Sequence, residues 1–410
     1  MLQKIVNGWG GIRQFLARVA MVVGALAVLI GRPVLGAPQN PNVVNGSASF
    51  QQNGNTYIIQ AGDGTIINYT AFDVAGNETV QFIQPGSSSR VLNRVLGPDP
   101  SNINGVLTAN GIVYLVNPAG VIFGPNSVVD VAGIYAAGGN MSNSDFLNNV
   151  DKFTNLDGSV VNYGTMNAEA VHLLGKQVGN HGTINAGNGV ITMAAGNTVF
   201  LQQQGSRIYV TVDGVTVNDL NNTASGGASP NLNTTPGVEN TGSLQANNGQ
   251  VTLGAGDMYS LAIRNTGEII AQSGSAEAVA AGGAIHNTGV MDVSNTSAAG
   301  SINLQGPSVV NSGQLLANSM FGQAGTITLR GANHAYATSG STISAAGLST
   351  GYGGTVNLLS SDGTTIFAED AKINVSGGSV AGKGGDMHVS GQSLAFEGDV
   401  DARGYGGFAD

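Results

Sequence analysis

A short phrase of Asn, one variable residue and Gly recurs along this chain and constrains its fold more than any other feature. The phrase occurs at Asn162-Tyr163-Gly164, Asn180-His181-Gly182, Asn240-Thr241-Gly242, Asn265-Thr266-Gly267, Asn287-Thr288-Gly289 and Asn311-Ser312-Gly313. Where no insertion intervenes, successive phrases stand about 18 to 25 residues apart, a period typical of solenoid coils. Because Asn and Gly both tolerate left-handed backbone conformations, the phrases predict the corners of a coiling chain.

Short segments with period-two alternation lie between these phrases. They are Val190-Ile191-Thr192-Met193, Val251-Thr252-Leu253, Ile302-Asn303-Leu304, Ile327-Thr328-Leu329, Val356-Asn357-Leu358 and Met387-His388-Val389. Such alternation predicts strands with one apolar and one polar face. We therefore predict an all-β chain that folds as a parallel β-helix of roughly 15 coils, with aliphatic side chains in its lumen and stacked Asn at its corners. The alternative is an antiparallel sandwich or barrel, but those folds do not repeat one phrase at one spacing.

Composition excludes several other classes. Of the 410 residues, 64 are Gly and only 9% are charged, which is unlike an ordinary helical enzyme. The hydrophobic fraction of 41% is too high for a disordered chain. A pI near 4.8 argues against nucleic acid as a partner. Because the chain has no Cys, its stability must come from stacking of coils.

The first residues are typical of a targeting segment. Lys4, Arg13 and Arg18 precede an apolar run, residues 19–30, that is too short for a membrane-spanning helix. We predict a signal peptide over residues 1–36, cleaved between Gly36 and Ala37. An uncleaved anchor is the alternative.

Two further segments depart from the repeat. Residues 213–237 contain a Gly-rich, Pro-containing stretch that predicts a loop or hairpin projecting from the helix. At the other end, residues 400–407 resemble the start of another coil, and no polar capping element follows. Solenoids generally need caps. We therefore expect an uncapped final coil that associates through residues 390–410.

The stretch from Ile66 to Leu147 is dense in specific motifs. They comprise Ile67-Asn68-Tyr69 with Phe72, Val80-Gln81-Phe82 with Gln84-Pro85, Val91-Leu92-Asn93-Arg94-Val95, Pro100-Ser101 with Ile103 and Gly105, Asn110-Gly111, Val113-Tyr114-Leu115-Val116-Asn117-Pro118-Ala119-Gly120-Val121, Phe123-Gly124, Ser142-Asn143 and Asp145-Phe146-Leu147. As a combined pattern, this stretch resembles the N-terminal secretion domain of the filamentous haemagglutinin family. Members of that family are the exported partners of two-partner secretion systems.

The resemblance implies a right-handed parallel β-helix whose N-terminal region, here residues 37–150, forms the cap and first coils and is recognised by an outer-membrane barrel transporter. The family's hallmark is Asn-Pro-Asn-Gly followed by Ile or Val. This chain has Ala119 in place of the second Asn, which puts in doubt any contact of that side chain. The residues implied in recognition or secretion are Asn93, Arg94, Asn117, Pro118, Ala119, Gly120 and Val121.

The role of these residues has two interpretations. Pro118 fixes its own φ and Gly120 permits a positive φ, so the motif also predicts a tight turn that closes the coil. Arg94 is either a solvent-facing reader of a partner carboxylate or a paired structural residue. The two interpretations are not exclusive.

Catalytic and metal-binding signals are weak. The five histidines, at positions 172, 181, 286, 334 and 388, lie far apart, and we expect each to be solvated or at a corner. The compact charged cluster Asp362, Glu369, Asp370 and Lys372 raises the alternative of a glycan-cleaving β-helix enzyme, which requires its carboxylates to converge. Charges that keep the rod soluble are the favoured interpretation. We predict no cofactor, no metal and no enzymatic activity.

The resemblance thus implies a secreted or cell-surface protein of an envelope with two membranes, exported through the periplasm and outer membrane by a cognate transporter. It also implies that the residues from 151 to 410 form coils that present an adhesive surface to host or matrix glycans or receptors. A third alternative is the delivery head of a longer toxin or adhesin.

Overall fold

The computed structural model describes residues 36–204, 207–213, 215–216 and 232–407. The predicted signal peptide lies outside these residues except for Gly36, and so does most of the predicted 213–237 loop. One short helix, α1, spans Asn143–Leu147. The first strands are β1 Asn42–Asn45, β2 Ala48–Asn53, β3 Thr56–Ala61, β4 Thr65–Tyr69, β5 Thr79–Ile83, β6 Arg90–Val95, β7 Ser101–Ile103, β8 Val106–Val116, β9 Val121–Phe123, β10 Val128–Ala137, β11 Asp151–Phe153, β12 Val160–Asn162, β13 Thr165–Asn167, β14 Ala170–Gly175, β15 Val178–Asn180, β16 Thr183–Asn185, β17 Val190–Ala195, β18 Val199–Gln204, β19 Arg207–Val212 and β20 Val215–Thr216.

The chain then continues through β21 Val238–Asn240, β22 Ser243–Gln245, β23 Gln250–Ala255, β24 Leu261–Asn265, β25 Glu268–Ile270, β26 Ser275–Ala280, β27 Ala284–Asn287, β28 Val290–Asp292, β29 Ser301–Asn311, β30 Gln314–Leu316, β31 Thr326–Ala337, β32 Thr342–Ser344, β33 Thr355–Ser360, β34 Thr364–Phe367, β35 Lys372–Asn374, β36 Asp386–Ser390, β37 Ser393–Phe396 and β38 Asp399–Asp401.

These strands coil into a parallel β-helix with three faces. Face A contains β4, β6, the end of β8, the end of β10, β14, β17, β23, β26, the start of β29, the start of β31, β33 and β36. Face B runs from β3 through β5, the start of β8, the start of β10, β13, β16, β22, β25, β28, β30, β32 and β35 to β38. Face C runs from β7 through β9, β12, β15, β21, β24, β27, the end of β29, the end of β31 and β34 to β37. The chain visits the faces in the order B, A, C, which confirms the predicted parallel β-helix.

Stacked apolar side chains fill the lumen along its whole length. At the corner between faces C and B, six buried asparagines, from Asn162 to Asn311, are joined by five bonds in series, each from Nδ2 to the Oδ1 of the next coil at 2.7–2.8 Å. The four inner amides are thereby satisfied by their equivalents above and below. The recurring Asn-x-Gly phrase therefore encodes an asparagine ladder, as the sequence predicts.

Antiparallel strands close the N-terminal end of the helix. Strand β1 pairs antiparallel with β4 on face A, and β2 pairs antiparallel with β3 on face B. At the other end, the described residues place no covering segment on the last coil, where Leu394 is 52% and Phe396 49% exposed. The predicted association through residues 390–410 stays a prediction.

Face A is covered on its outside in the N-terminal half by two segments that leave the helix at the corner between faces A and C. The first carries α1 and β11, and the second carries β18–β20. Together β11, β18, β19 and β20 form a four-stranded antiparallel sheet. The second segment begins at β18, earlier than the predicted 213–237 loop.

A second hydrophobic core lies beneath these segments, outside the lumen. It joins outward side chains of face A, such as Leu92, Tyr114 and Leu174, to Phe146, Phe153 and others of the covering segments. Because these segments use residues that would otherwise coil, the longest described ladder, face B, has 13 strands and not roughly 15. Within the described parts of the chain, no helix is long and apolar enough to span a bilayer.

Candidate functional site

The Asn117–Gly120 segment forms a tight turn between β8 and β9. The amide of Gly120 donates to the carbonyl of Asn117 at 2.9 Å, and Gly120 has a φ of +111°. A Cβ atom at position 120 would lie 2.6 Å from the carbonyl oxygen of Ser159 in the next coil. Gly is therefore needed both for the backbone angle and for the close approach of the neighbouring coil.

The side chain of Asn117 is used entirely within this corner. It is fully buried, its Nδ2 donates to the carbonyl of Asp99 at 3.0 Å and to Ser101 Oγ at 3.1 Å, and its Oδ1 accepts from the amide of Ala119 at 2.9 Å. Pro118 and Ala119 are half-buried, and Val121 lies in the lumen. The motif thus holds the turn and the preceding 99–101 segment together, while Pro118 and Ala119 reach the surface.

Asn93 lies in the lumen of face A. It is fully buried, accepts from the Tyr69 hydroxyl at 3.1 Å and donates to the carbonyl of Tyr114 at 3.2 Å. A buried amide with both partners in place fixes the spacing of adjacent coils. Asn93 therefore stabilises the first coils and, being fully buried, cannot contact a partner protein.

Arg94 points outward from the same strand and ties the covering segment to face A. Its Nη2 donates to the carbonyl of Met141 at 2.7 Å and to Asn143 Oδ1 at 2.8 Å, and its Nη1 donates to Asn68 Oδ1 at 3.3 Å. Partial burial lowers the pKa of Arg94 from its usual value. The guanidinium thereby anchors the start of α1, whose N-cap is Ser142.

Two tyrosines and a carboxylate form the centre of the second core, and sequence reasoning missed them. The rings of Tyr114 and Tyr135 stack with centroids 4.1 Å apart, and both hydroxyls donate to Asp151, at 2.8 and 3.1 Å. Burial is the main cause that raises the pKa of Asp151, against the lowering effect of the two hydroxyls. Tyr114 and Tyr135 occupy equivalent positions in Val113-Tyr114-Leu115 and Ile134-Tyr135-Ala136. This repeated pattern in the sequence could have indicated that the two rings stack.

His172 continues this stack, with its ring 4.4 Å from that of Tyr135. The expectation of a solvated or corner histidine is wrong here, because the covering segments bury it completely and lower its pKa to about 3. His181 does lie at a corner, where its ring stacks 4.9 Å from Tyr163.

Two large apolar side chains are exposed near the 117–120 turn. Leu96 is 64% exposed and follows β6, shortly before the 99–101 segment that Asn117 binds. Ile122 is 36% exposed and follows Gly120 by two residues. We define Leu96, Pro118, Ala119 and Ile122 as the N-terminal corner.

A second surface feature follows the corner between faces C and B. The variable residues of the Asn-x-Gly phrases line up outside the asparagine ladder as Tyr163, His181, Thr241, Thr266, Thr288 and Ser312. Thr241 to Ser312 border a cavity of about 600 Å³ that Glu268 and Gln314 also line. Tyr163 is 45% exposed, so one end of this row carries an aromatic face.

The charged cluster of the enzyme alternative does not converge. Asp362 lies at the corner after β33, whereas Glu369 and Asp370 follow β34, about 13 Å further along extended backbone. Paired carboxylates of glycosidases stand within about 10 Å of one another. The described residues also hold no group of three or more His, Cys, Asp or Glu side chains that could bind a metal ion.

The predicted cleavage site, between Gly36 and Ala37, lies just before the first coil. Ala37 has a φ of +71°, and the pairing with the first coil begins two residues later, where the amide of Gln39 donates to the carbonyl of Ala71 at 2.8 Å. Cleavage between Gly36 and Ala37 stays a prediction.

Comparison with known proteins gives consistent matches. A family model described as the TPS secretion domain matches residues 36–287. The heme/hemopexin-binding protein of Haemophilus influenzae (strain ATCC 51907 / DSM 11121 / KW20 / Rd) is 35% identical over 189 residues, which is 43% of this chain and 21% of that protein. A second heme/hemopexin-binding protein of Haemophilus influenzae is 38% identical over 101 residues, 24% of this chain and 11% of that protein.

The chain therefore matches about a fifth or less of the length of these relatives. Among solved structures, the HMW1 secretion domain from Haemophilus influenzae superposes with a TM-score of 0.65 at 22% identity, covering 89% of this chain and 98% of that one. At this identity, the structural match supports the fold alone.

Proposed function

The chain belongs to the TPS secretion domain family, and from that premise we propose that it is exported from the periplasm across the outer membrane by a cognate barrel transporter. The protein then reaches the cell surface or the medium. The observation that carries this proposal is the family match over residues 36–287, which contains the cap, the 117–120 turn and the whole second core.

We further propose that the periplasmic domains of the transporter recognise the N-terminal corner. Leu96 and Ile122 are apolar and exposed, and Pro118 and Ala119 lie between them in the chain at a turn. Exposed apolar side chains on a rigid scaffold are a common basis of protein recognition. In this account Asn117 and Gly120 hold the corner in shape, while Asn93 and Arg94 support it from the lumen and from α1.

The experiment measures binding of residues 37–410 to the isolated periplasmic domains of the transporter by calorimetry. The double variant Leu96→Ser, Ile122→Ser should bind at least about tenfold more weakly, since two apolar contacts are each worth about 1 kcal/mol or more. The matched control Tyr163→Ser, Met258→Ser removes two side chains of similar exposure elsewhere. Equal affinity of the double variant and wild type would reject the corner as the recognition surface.

A second pair of variants separates the effect of the turn's shape from direct contact between the turn and the transporter. Gly120→Val forces a side chain against Ser159 and should weaken both folding and binding. Ala119→Asn restores the family residue at a half-buried position and should leave thermal stability within about 0.5 kcal/mol. If Ala119→Asn changes binding without changing stability, position 119 itself contacts the transporter.

The groove outside the asparagine ladder favours a second function, adhesion to glycans. Hydroxyls of Thr241, Thr266 and Thr288 repeat along it. Two coils before Thr241 in the same row, the ring of Tyr163 is 45% exposed and stacks on His181 with one face, so its other face is where a sugar ring would stack. Because the chain has a net charge of −10, neutral glycans are the favoured ligands over acidic ones. Tyr163→Ala should remove binding on a panel of neutral oligosaccharides, whereas Tyr352→Ala, an exposed tyrosine far along the chain, should retain it.

A further inference from the structure

The connections between faces B and A lengthen abruptly in the last coils. After β16, β22 and β25 each connection holds four residues, and after β28, β30, β32 and β35 the connections hold 8, 9, 10 and 11 residues. These four longer loops are residues 293–300, 317–325, 345–354 and 375–385. We name them together the flange.

The flange is a stacked, hydrogen-bonded ledge. The amide of Phe321 donates to the carbonyl of Thr296 at 2.9 Å, that of Leu348 to Ser319 at 2.8 Å, and that of Val380 to Ser349 at 2.9 Å. Isolated bridges join the same loops, among them Ser319 to Gly347 and Gln323 to Tyr352. Each loop is therefore fixed by its neighbour, so its side chains are presented in a set geometry with little ordering entropy left to lose.

This ledge exposes large apolar side chains. The exposed fractions are 39% for Met320, 57% for Phe321, 50% for Leu348, 43% for Tyr352 and 67% for Val380. Single exposed apolar residues are ordinary, but a contiguous group on adjacent stacked loops marks an interaction surface.

The flange also differs from the rest of the chain in charge. Its four loops contain no Asp or Glu and a single basic residue, Lys383, while the whole chain has 24 acidic and 14 basic residues. Two copies of such an acidic chain repel one another over most of their surfaces. The flange is a surface where two copies meet without that repulsion.

Charged residues border the flange at both ends. Asp292 immediately precedes the first loop, and the exposed Lys383 lies in the last loop, three coils or about 14 Å away along the axis. The exposed Asp386 directly follows the last loop. Because both ends carry a carboxylate, the charges do not select a parallel or an antiparallel arrangement of two copies.

We propose that the protein self-associates through the flange as a twofold-symmetric dimer. Isologous contacts of this kind use the same patch on both copies and close the assembly at two. The dimer does not depend on the transporter and is separate from the proposed function.

The test is sedimentation velocity of residues 37–410 over a wide concentration range. Wild type should show a reversible monomer–dimer equilibrium. The triple variant Phe321→Ser, Leu348→Ser, Val380→Ser should weaken dimerisation by at least 100-fold. The matched control Leu96→Ser, Ile122→Ser, Tyr163→Ser removes three exposed apolar side chains elsewhere and should leave it unchanged. Thermal unfolding of both triples, measured at low concentration, separates misfolding from loss of contact.

A charge change tests the electrostatic argument. Lys383→Glu should weaken the dimer several-fold, because it places a carboxylate on a surface whose loops otherwise contain no acid. Four results would overturn the proposal. They are a wild type that stays monomeric at every concentration, equal loss in both triples, association that survives the flange triple, and flange-dependent binding to phosphatidylcholine vesicles without self-association.

Discussion

The outer surface of face A differs between the two halves of the molecule, although the lumen beneath it is the same throughout. In the N-terminal half, outward positions carry Leu92, Tyr114, Tyr135 and Leu174, and α1, β11, β18 and β19 cover them. In the C-terminal half the column of Tyr114 and Tyr135 continues with Asn303, Thr328 and Asn357, which are half-buried, and with His388, which is exposed. The covering sheet ends near Glu277, which pairs with Arg207 at the tip of the β18–β19 hairpin.

The difference shows that inward and outward residues have separate roles. Stacked apolar side chains continue through the lumen of both halves, whereas the asparagine ladder spans only Asn162 to Asn311. Ala337 and Phe367 take its position in the next two coils. The outward residues decide whether an additional layer packs on the coil. The half with that layer also contains the N-terminal corner, and the half without it contains the flange.

The largest expected effect comes from removing a side chain of the covering layer. Phe146→Ala should destabilise the protein by about 3–5 kcal/mol, because the ring is fully buried and packs edge-on against Tyr114 with centroids 5.2 Å apart. The matched change on the bare half, Leu359→Ala, should cost about 1 kcal/mol or less, since that side chain is only half-buried. Urea unfolding measures both, and equal costs would remove the distinction between the two halves.

A change in the asparagine ladder should also destabilise the protein. Asn265→Ala takes an acceptor from Asn240 and a donor from Asn287, so it should cost about 2–3 kcal/mol. Asn357→Ala, which removes an outward amide bonded to Thr328 Oγ1 at 3.2 Å, should cost about 0.5 kcal/mol. A small effect of Asn265→Ala would mean that the ladder contributes little to the stability of the coils that contain it.

Acid should destabilise the covered half through His172. Burial lowers its pKa from 6.5 to about 3, so between these values the unfolded chain takes up a proton that the folded protein does not. Stability is therefore lost as pH falls from about 6.5 towards 3, by about 2 kcal/mol at pH 5. His172→Phe, which retains the ring stack, should remove this loss, whereas Thr192→Val should shift stability equally at every pH. An unchanged pH profile in His172→Phe would contradict the burial of His172.

The smallest effect is expected outside both cores. Arg264 Nε donates to Glu239 Oε1 at 2.9 Å on the outer surface of face C, where both side chains are partly exposed. Glu239→Gln should cost about 0.5 kcal/mol, and the cost should shrink in 0.5 M salt. A cost above 2 kcal/mol would mean that this surface pair acts as part of a core.

The elements that the sequence predicts correctly are those with a regular period. Val190-Ile191-Thr192-Met193 and Ile327-Thr328-Leu329 fall on face A as expected, and the Asn-x-Gly phrases form one corner. The Asn117–Gly120 turn was also predictable, because Pro118 and Gly120 each restrict or require a particular φ.

The covering layer was not predictable in the same way. Phe146, Phe153 and Val210 belong to no repeat, and their contacts with face A join residues far apart in sequence. The burial of His172 and the internal bonds of Arg94 follow from that layer, so their environments were inaccessible to local patterns. The flange was missed because lengthening loops of Gly, Ser and Asn resemble ordinary turns.

Export itself tests the central claim most directly. Cells that express the full chain with and without its cognate outer-membrane transporter would be fractionated, and the product in the medium and on the surface would be quantified and its N-terminus sequenced. The account predicts that the wild type leaves the periplasm only with the transporter, begins at Ala37, and is retained when Asn117→Ala and Gly120→Val are combined. Export without the transporter, or periplasmic retention of the wild type in its presence, would contradict the account.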